Sequence, residues 1–559
     1  MTALPADEPL TFETFCACLA DIEALSADTA ITAAVADLLG AAGAELPVVA
    51  RFVQGRVFPA WDGTTLDVGP RLCYAALART AGPNVTAEDV ETRVAQLGDV
   101  GDVAADLSSD SQQGLDAFTP GATEALTVGA LDDELRALAA SSGSGSASRK
   151  EDRLFGLFNR CSGDDARYLA RLVLGELRIG VGAGTVRDAT TVAFDVDPDA
   201  VEHGLQVSND YGEVARLARA EGTAGLRSMS LAVGRPVQAM LAQAGTADEA
   251  LDAWETVAVE TKFDGARVQL HHDGAETWAF SRNMADVTEA LPEVREFADL
   301  AVDDDGAPLP FQEVLRRFRR VHNVERARED VRVELRLFDC LHVDGVDLLD
   351  EPLDARHHRL DSVVDADRER AHCAELTVTA DRDDIERHEA RSLAAGHEGL
   401  MLKNPSSSYT PGRRGKNWLK RKPDVETLDL VVVGAEWGEG RRASFLGTFE
   451  VAARDGDNLL PVGKVATGIT DEMLADLTER LEPTIEAEAG KRVDVRPELV
   501  LEVGYEEIQT SETYASGFAL RFPRLVAIRE KPVDEPDSVA RIRELAGGEE
   551  GTDGTTHTE

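Results

Sequence analysis

The segment VAVETKFDGARVQLHHDG, residues 257–274, sets a primary amine, Lys262, directly before Phe263-Asp264-Gly265. Glu260 stands two residues upstream and Arg267 five residues downstream. A lysine close to other cations gives up its proton more readily and becomes a nucleophile. The Asp-Gly turn lets a backbone approach a ligand, and Arg267 on the following strand could hold the charge of a phosphate. The competing reading is a surface hairpin that happens to carry a lysine.

Lysine usage sharpens that choice. The chain of 559 residues has nine lysines, at 150, 262, 403, 416, 420, 422, 464, 491 and 531, and four of them lie between 403 and 422. Arginine can replace a lysine that needs only to be positive, but its guanidinium stays protonated and makes a poor nucleophile. The retained lysines are therefore candidates for chemistry.

Further segments offer matching groups. FSRN, 280–283, puts Arg282 at a strand end, and LRLFDCLHVDG, 335–345, offers Phe338 as a stacking face for a base. EGLMLK, 398–403, places Glu398 and Lys403 around an apolar strand. RRGKNWLKRKP, 413–423, presents Lys420 and Lys422 on one face after Arg413, Arg414 and Lys416. RFPRLVAIREKP, 521–532, supplies Arg521, Arg524, Arg529 and Lys531. Arg521 and Arg524 could equally grip nucleic-acid phosphates, and Lys416 could sit on a solvated loop.

Composition bounds the setting. Asp plus Glu number 103 against 58 Lys plus Arg, a net charge of −45. A dense acidic surface with few lysines suits concentrated salt, where the Debye length falls to about 3 Å at 1 M and self-repulsion is screened. Nucleic acid remains a possible partner if the few cations gather in one groove. The six cysteines form no C-x-x-C pair and read as reduced thiols. His271-His272 and His357-His358 lack further ligands at zinc spacing and read as solvated histidines. Neither a signal peptide nor a spanning apolar run is evident, so a cytoplasmic protein without membrane contact is expected.

The elements that must position these groups fall into three regions. Residues 1–245 read as helical, interrupted by SSGSGSAS at 141–148, a flexible linker by composition. Residues 246–424 mix helices with short strands, including VAVETKF, ARVQLHH and ETWAFSR, with Asp273-Gly274 as a hairpin turn. Residues 425–547 are mostly strand with one helix near 471–482, the pattern of a small oligonucleotide-binding barrel. Residues 548–559 read as a disordered acidic tail.

Taken in order, these motifs resemble the nucleotidyltransferase motifs of the ATP-dependent DNA ligases, with the archaeal replicative type as the nearest likeness. The helical leader, with LVLGELRIGVGAGTVRDA at 172–189, is similar to the ligase DNA-binding domain. The resemblance implies an all-α DNA-binding domain, an α+β adenylation domain and an OB-fold domain. It implies ATP as the consumed cofactor, Mg²⁺ as the metal, nicked duplex DNA as the partner and a monomer.

By likeness, Lys262 attacks the α-phosphate of ATP and carries AMP. Glu260 bonds the adenine amino group, Arg267 and Arg282 contact the ribose and phosphate end, and Phe338 stacks on adenine. Arg414 and Lys420 hold the α-phosphate with Lys422 close by, and Glu398 helps place Mg²⁺. Arg529 and Lys531 orient the leaving pyrophosphate. AMP then passes to a 5′-phosphate, and the 3′-hydroxyl displaces it to seal the strand.

Two departures stand out. The family carries a D-G-E strand between the second motif and the stacking Phe. Here VREFADLAVDDDGAPLPFQEVLRRF, 294–318, runs from one flank of that strand to the other, between Asp299 and Phe311. Glu313 belongs to the next helix and is a poor substitute. Glu530 also replaces an aspartate before Lys531. Gln112, Leu115 and Phe118 match the spacing of a sliding-clamp peptide but lack its second aromatic. An RNA ligase or capping-type enzyme shares the K-x-D-G lysine but lacks so long a helical leader. The missing strand raises a second alternative, a nick-binding protein impaired in catalysis.

Overall fold

The computed structural model describes residues 9–115, 125–291, 335–364, 371–422, 426–438, 444–456, 458–511, 513–529, 531–533 and 535–546. They form two compact units, 1–421 and 422–559. The segment expected to lack a strand, Glu313 and Glu530 lie outside the described residues, as do Phe118 and the side chains of Gln112 and Leu115.

Among the described residues, the regular elements from Phe12–Glu23 to Tyr211–Arg227 are all helical. Their apolar faces close on one core that includes Phe12, Phe15, Leu19, Phe52, Phe158 and Tyr168. Side chains tie off the helix starts: Thr86 and Asp89 bond each other's backbone N–H, and Thr11 and Thr127 cap their own helices. No single helix among the described residues is long and apolar enough to cross a membrane.

Two readings of this region change. SSGSGSAS is a tight connection between Val128–Ala139 and Ser146–Phe158, not a free linker. Gly143 and Gly145 take positive φ, and Arg149 donates to the carbonyls of Ser142 and Ser144. Lys150 was a candidate for chemistry, yet it is buried. Its ammonium donates to the Leu66 carbonyl at 2.9 Å and pairs with Asp67 at 2.9 Å, so it ties a loop to a helix.

Among the described residues, the middle region supplies eleven strands. They are β1 (Leu241–Ala244), β2 (Val257–Thr261), β3 (Val268–His272), β4 (Thr277–Ser281), β5 (Leu335–Leu337), β6 (His342–Val343), β7 (Val346–Asp347), β8 (Ala371–Cys373), β9 (Thr377–Thr379), β10 (Leu400–Lys403) and β11 (Arg414–Arg421). Five of them build a sheet in the order β1-β11-β10-β2-β9. β1 runs parallel to β11, so the sheet recruits residues ahead of the boundary expected at 245/246. The β3–β4 hairpin turns where Asp273 accepts from the N–H groups of Ala275 and Glu276, with Gly274 at φ +95°.

The histidine reading also changes. His357 is buried and meets the Ala374 carbonyl at 3.0 Å; His271 accepts from the Gly234 N–H at 3.0 Å. They are packed histidines. No group of three or more metal-type side chains gathers among the described residues.

In the second unit, β12 (Thr427–Trp437) is the central strand. β13 (Leu446–Asp455) lies along one edge, and β17 (Val500–Gly504) followed by β16 (Arg492–Val495) along the other. β14 (Asn458–Val465), β15 (Ile485–Ala489) and β20 (Arg524–Arg529) complete a seven-stranded sheet; β18 (Glu507–Thr510) and β19 (Phe518–Arg521) pair separately. The helix Asp471–Leu481 packs Leu477 and Leu481 into the core of Leu430, Phe449, Val451 and Leu501.

Candidate active site

Strand alternation builds the site. β10 pairs antiparallel with β2 so that Met401 faces Glu260 and Lys403 faces Ala258; it pairs with β11 so that Met401 faces Lys420 and Lys403 faces Trp418. With a side-chain period of two, Glu260, Lys403, Trp418 and Lys420 share one face. Val257, Val259, Leu400, Leu402 and Leu419 occupy the other, packed on Ala247, Ala250 and Ile385. The apolar face anchors the sheet and leaves the polar face for chemistry.

Lys262 lies one residue past β2 and extends the same pairing. Its N–H donates to the Gly399 carbonyl at 2.9 Å, and its carbonyl accepts from the Glu398 N–H at 3.0 Å. Gly399 takes φ +119°, a conformation that L side chains rarely adopt. It brings Glu398 round so that its carboxylate meets the Lys262 ammonium in an ion pair, each side chain about a quarter exposed. The nucleophile candidate and the metal-ligand candidate are thus in contact.

Beneath them lies a second pair. Glu260 and Lys403 meet at 2.6 Å with side chains 3% and 1% exposed. Burial pushes the Glu260 carboxyl above its ordinary range, and the Lys403 charge opposes that push. The Lys403 ammonium also lies 4.4 Å from the Trp418 ring centre and 5.0 Å from that of Phe338.

The remaining expected residues divide. Phe338 reaches this cluster, edge-on to Trp418 at 6.5 Å, with the Arg267 guanidinium 5.2 Å from its ring centre. Arg267 is held by the Met240 carbonyl at 2.9 Å and the Tyr409 hydroxyl at 2.7 Å, so here it ties the start of β3 to the segment before β1 and to the loop of Tyr409. Lys420 is exposed on the polar face. Arg282, in the turn after β4, and Arg414, at the start of β11, are exposed at strand ends. Lys422 pairs with Glu506. In the second unit Arg529 pairs with Asp429 and Glu502, and Lys531 with Asp429.

Sequence reasoning gave no role to Lys403, Trp418, Tyr409, Arg356 or Asp339. Arg356 is fully buried and binds Asp339 through two nitrogens, at 2.8 and 3.0 Å, and also the carbonyls of Glu351 and Ser407. It locks the residue next to Phe338 to the loop that carries Tyr409. The signal for Lys403 was present in its retention among nine lysines.

An amine paired with a carboxylate thus lies beside a buried carboxylate, the Phe338 ring and further cations. Comparison with known proteins gives the chain its family. Residues 11–191 match the model of the DNA ligase N terminus, 239–422 the ATP dependent DNA ligase domain and 442–532 the ATP dependent DNA ligase C terminal region. The DNA ligase of Haloferax volcanii is 59% identical over 96% of this chain and 100% of its own length. That of Haloarcula marismortui is 59% identical over 94% of this chain and 97% of its own. The solved structure Pmar-Lig_PreS3 shares the fold with a TM-score of 0.55 at 16% identity, covering 92% of this chain and 99% of that one. The chain belongs to the ATP-dependent DNA ligases, enzymes that use ATP to seal nicks in DNA.

Proposed function

We propose that Lys262 is the residue that carries AMP between ATP and the nick. The observation that carries this reading is the Lys262–Glu398 pair on the face that also presents Glu260, with Phe338 packed against Trp418 and Lys403 of that face. The Lys262 nitrogen, once deprotonated, forms a bond to the α-phosphorus as the bond to the pyrophosphate oxygen breaks. A 5′-phosphate oxygen at the nick then takes the AMP from Lys262. Finally the 3′-hydroxyl oxygen attacks that 5′-phosphorus, AMP leaves, and the strand is joined. Each step is an in-line phosphoryl transfer that needs position and positive charge.

Glu260 accepts from the adenine amino group and Phe338 stacks on the ring. Lys420 and Arg414 lie on the strand best placed to meet the α-phosphate, and Arg282 the phosphate end. Arg267, braced by Tyr409, supports the ribose side. Arg529 and Lys531 exchange their acidic partners for pyrophosphate oxygens. Glu398 offers a hard oxygen beside the point of attack. Mg²⁺ binds through one or two carboxylates plus substrate phosphates, so the donor set fits it. Bound there, Mg²⁺ would offset phosphate charge.

The second unit is an OB-fold domain, in keeping with its central strand shared between two edges. The helical region grips duplex DNA. Clamp binding through Gln112, Leu115 and Phe118 rests on sequence spacing. The acidic surface and the haloarchaeal relatives support work in a salt-rich cytoplasm, in replication and repair.

The test uses the whole chain in concentrated KCl with Mg²⁺, α-phosphate-labelled ATP and a nicked duplex. The wild type takes up covalent, alkali-stable label and seals the nick, while Lys262→Ala does neither. Sealing by Lys262→Ala at the wild-type rate would overturn the reading.

A further inference from the structure

The Glu260–Lys403 pair is buried and only half used. Glu260 Oε2 meets Lys403 Nζ at 2.6 Å, whereas Glu260 Oε1 is buried and has no hydrogen-bond partner. The Trp418 indole nitrogen beside Lys403 is buried and unpartnered as well. Leaving a buried charged acceptor unsatisfied costs free energy that a ligand's donor would recover. The open oxygen therefore points to a ligand N–H. An ionised carboxylate only accepts, whereas a protonated one also donates.

We propose that Lys403 is a positioning residue for base selection. By pairing with Glu260 it keeps the open oxygen an acceptor, so that the pocket takes a purine with an amine at C6 and refuses one with an oxygen there. This rests on the reading that Glu260 meets the adenine amine. The charges facing Glu260 are Lys403 on β10, Asp339 after β5 and His357 on the helix Leu353–Val363. Burial and Asp339 favour the protonated carboxyl; Lys403 leads the opposition, with His357 the lesser contributor. Without Lys403 the carboxyl takes a proton and offers O–H to a 6-oxo group. The discriminating charge thus sits one residue behind the atom that reads the base.

The experiment measures lysyl-nucleotide formation from α-phosphate-labelled ATP and inosine triphosphate, as kcat/KM, for the full chain in concentrated KCl. The variants are Lys403→Met, Lys403→Arg, Glu260→Gln and the double variant Lys403→Met/Glu260→Gln. Lys403→Met is expected to cut the ATP-over-inosine preference about tenfold or more, chiefly through KM, because a charge-assisted hydrogen bond is replaced by a neutral one. Lys403→Arg retains the preference, and Glu260→Gln collapses it. The double variant, which removes both charges and tolerates the site without an unpaired ion, matches Glu260→Gln alone. If Lys403→Met keeps the wild-type preference while Glu260→Gln loses it, or the two effects multiply in the double variant, the proposal falls and the adenine contact stands. If Glu260→Gln keeps the preference, Glu260 does not read the base and both fall.

Discussion

Lys262 and Glu398 meet side chain to side chain while the Glu398 N–H donates to the Lys262 carbonyl, just beyond the β2–β10 ladder. The proposed nucleophile is thereby held by main chain and paired with one carboxylate. Glu398→Gln removes that charge and keeps the shape. Adenylation is expected to slow about tenfold to a hundredfold, with a higher Mg²⁺ concentration needed for half the maximal rate. A titration of the adenylation rate against Mg²⁺ reads both, and an unchanged curve would contradict the role given to Glu398.

Lys262→Arg tests the argument from lysine retention. Guanidinium keeps the charge and the pairing with Glu398 but does not become a nucleophile. The expected outcome is a folded protein with no detectable covalent nucleotide and near-normal binding of nicked duplex, followed by gel shift. Covalent label on this variant would show that position 262 needs only a cation.

Arg356 is fully buried, and its pair with Asp339 underlies Phe338. Removing one partner leaves an uncompensated buried charge, worth about 3–5 kcal/mol. Arg356→Met is expected to lower the unfolding midpoint in urea at fixed salt and to raise KM for ATP. Arg356→Met/Asp339→Asn should recover much of the stability but less of the affinity. Equal stability of the single variant and the wild type would remove this brace from the account.

His271 has its pKa lowered from an ordinary 6.5 to about 4, first by burial and then by His342. Because the native pKa is depressed, the unfolded chain binds more protons between those values. The contribution is complete above pH 6.5 and is lost as pH falls towards 4. The full effect is at most about 3 kcal/mol, less what residual solvent access screens. His271→Asn keeps an acceptor for the Gly234 N–H and should flatten the stability profile across that window. A profile as steep as the wild type's would assign the pH dependence elsewhere.

Much of the candidate site was legible in the sequence because it is local. Lys262, Glu260 and the Asp-Gly turn lie within six residues, and EGLMLK carries its glycine where the chain must turn to bring Glu398 onto Lys262. Lys403 was visible as a retained lysine, but its partner was not. The pairing with Glu260 is diagonal across two strands and exists only in the register Leu402↔Val259. Register is set by the apolar faces packing below, and one sequence does not reveal it. The same limit misled the reading of Lys150, His271 and His357, whose partners include backbone groups distant in sequence. SSGSGSAS misled through composition, since glycines that permit flexibility also permit the left-handed turns of a tight connection.

The most direct test of the central claim is to map the covalent nucleotide. The full-length protein is charged with α-phosphate-labelled ATP and Mg²⁺ in concentrated KCl, digested, and the labelled peptide sequenced. One labelled peptide is expected, containing VETKFDGAR, with AMP on the Lys262 nitrogen. Label on another lysine, Lys403 or Lys420 above all, or a protein that seals nicks without covalent nucleotide, would contradict it.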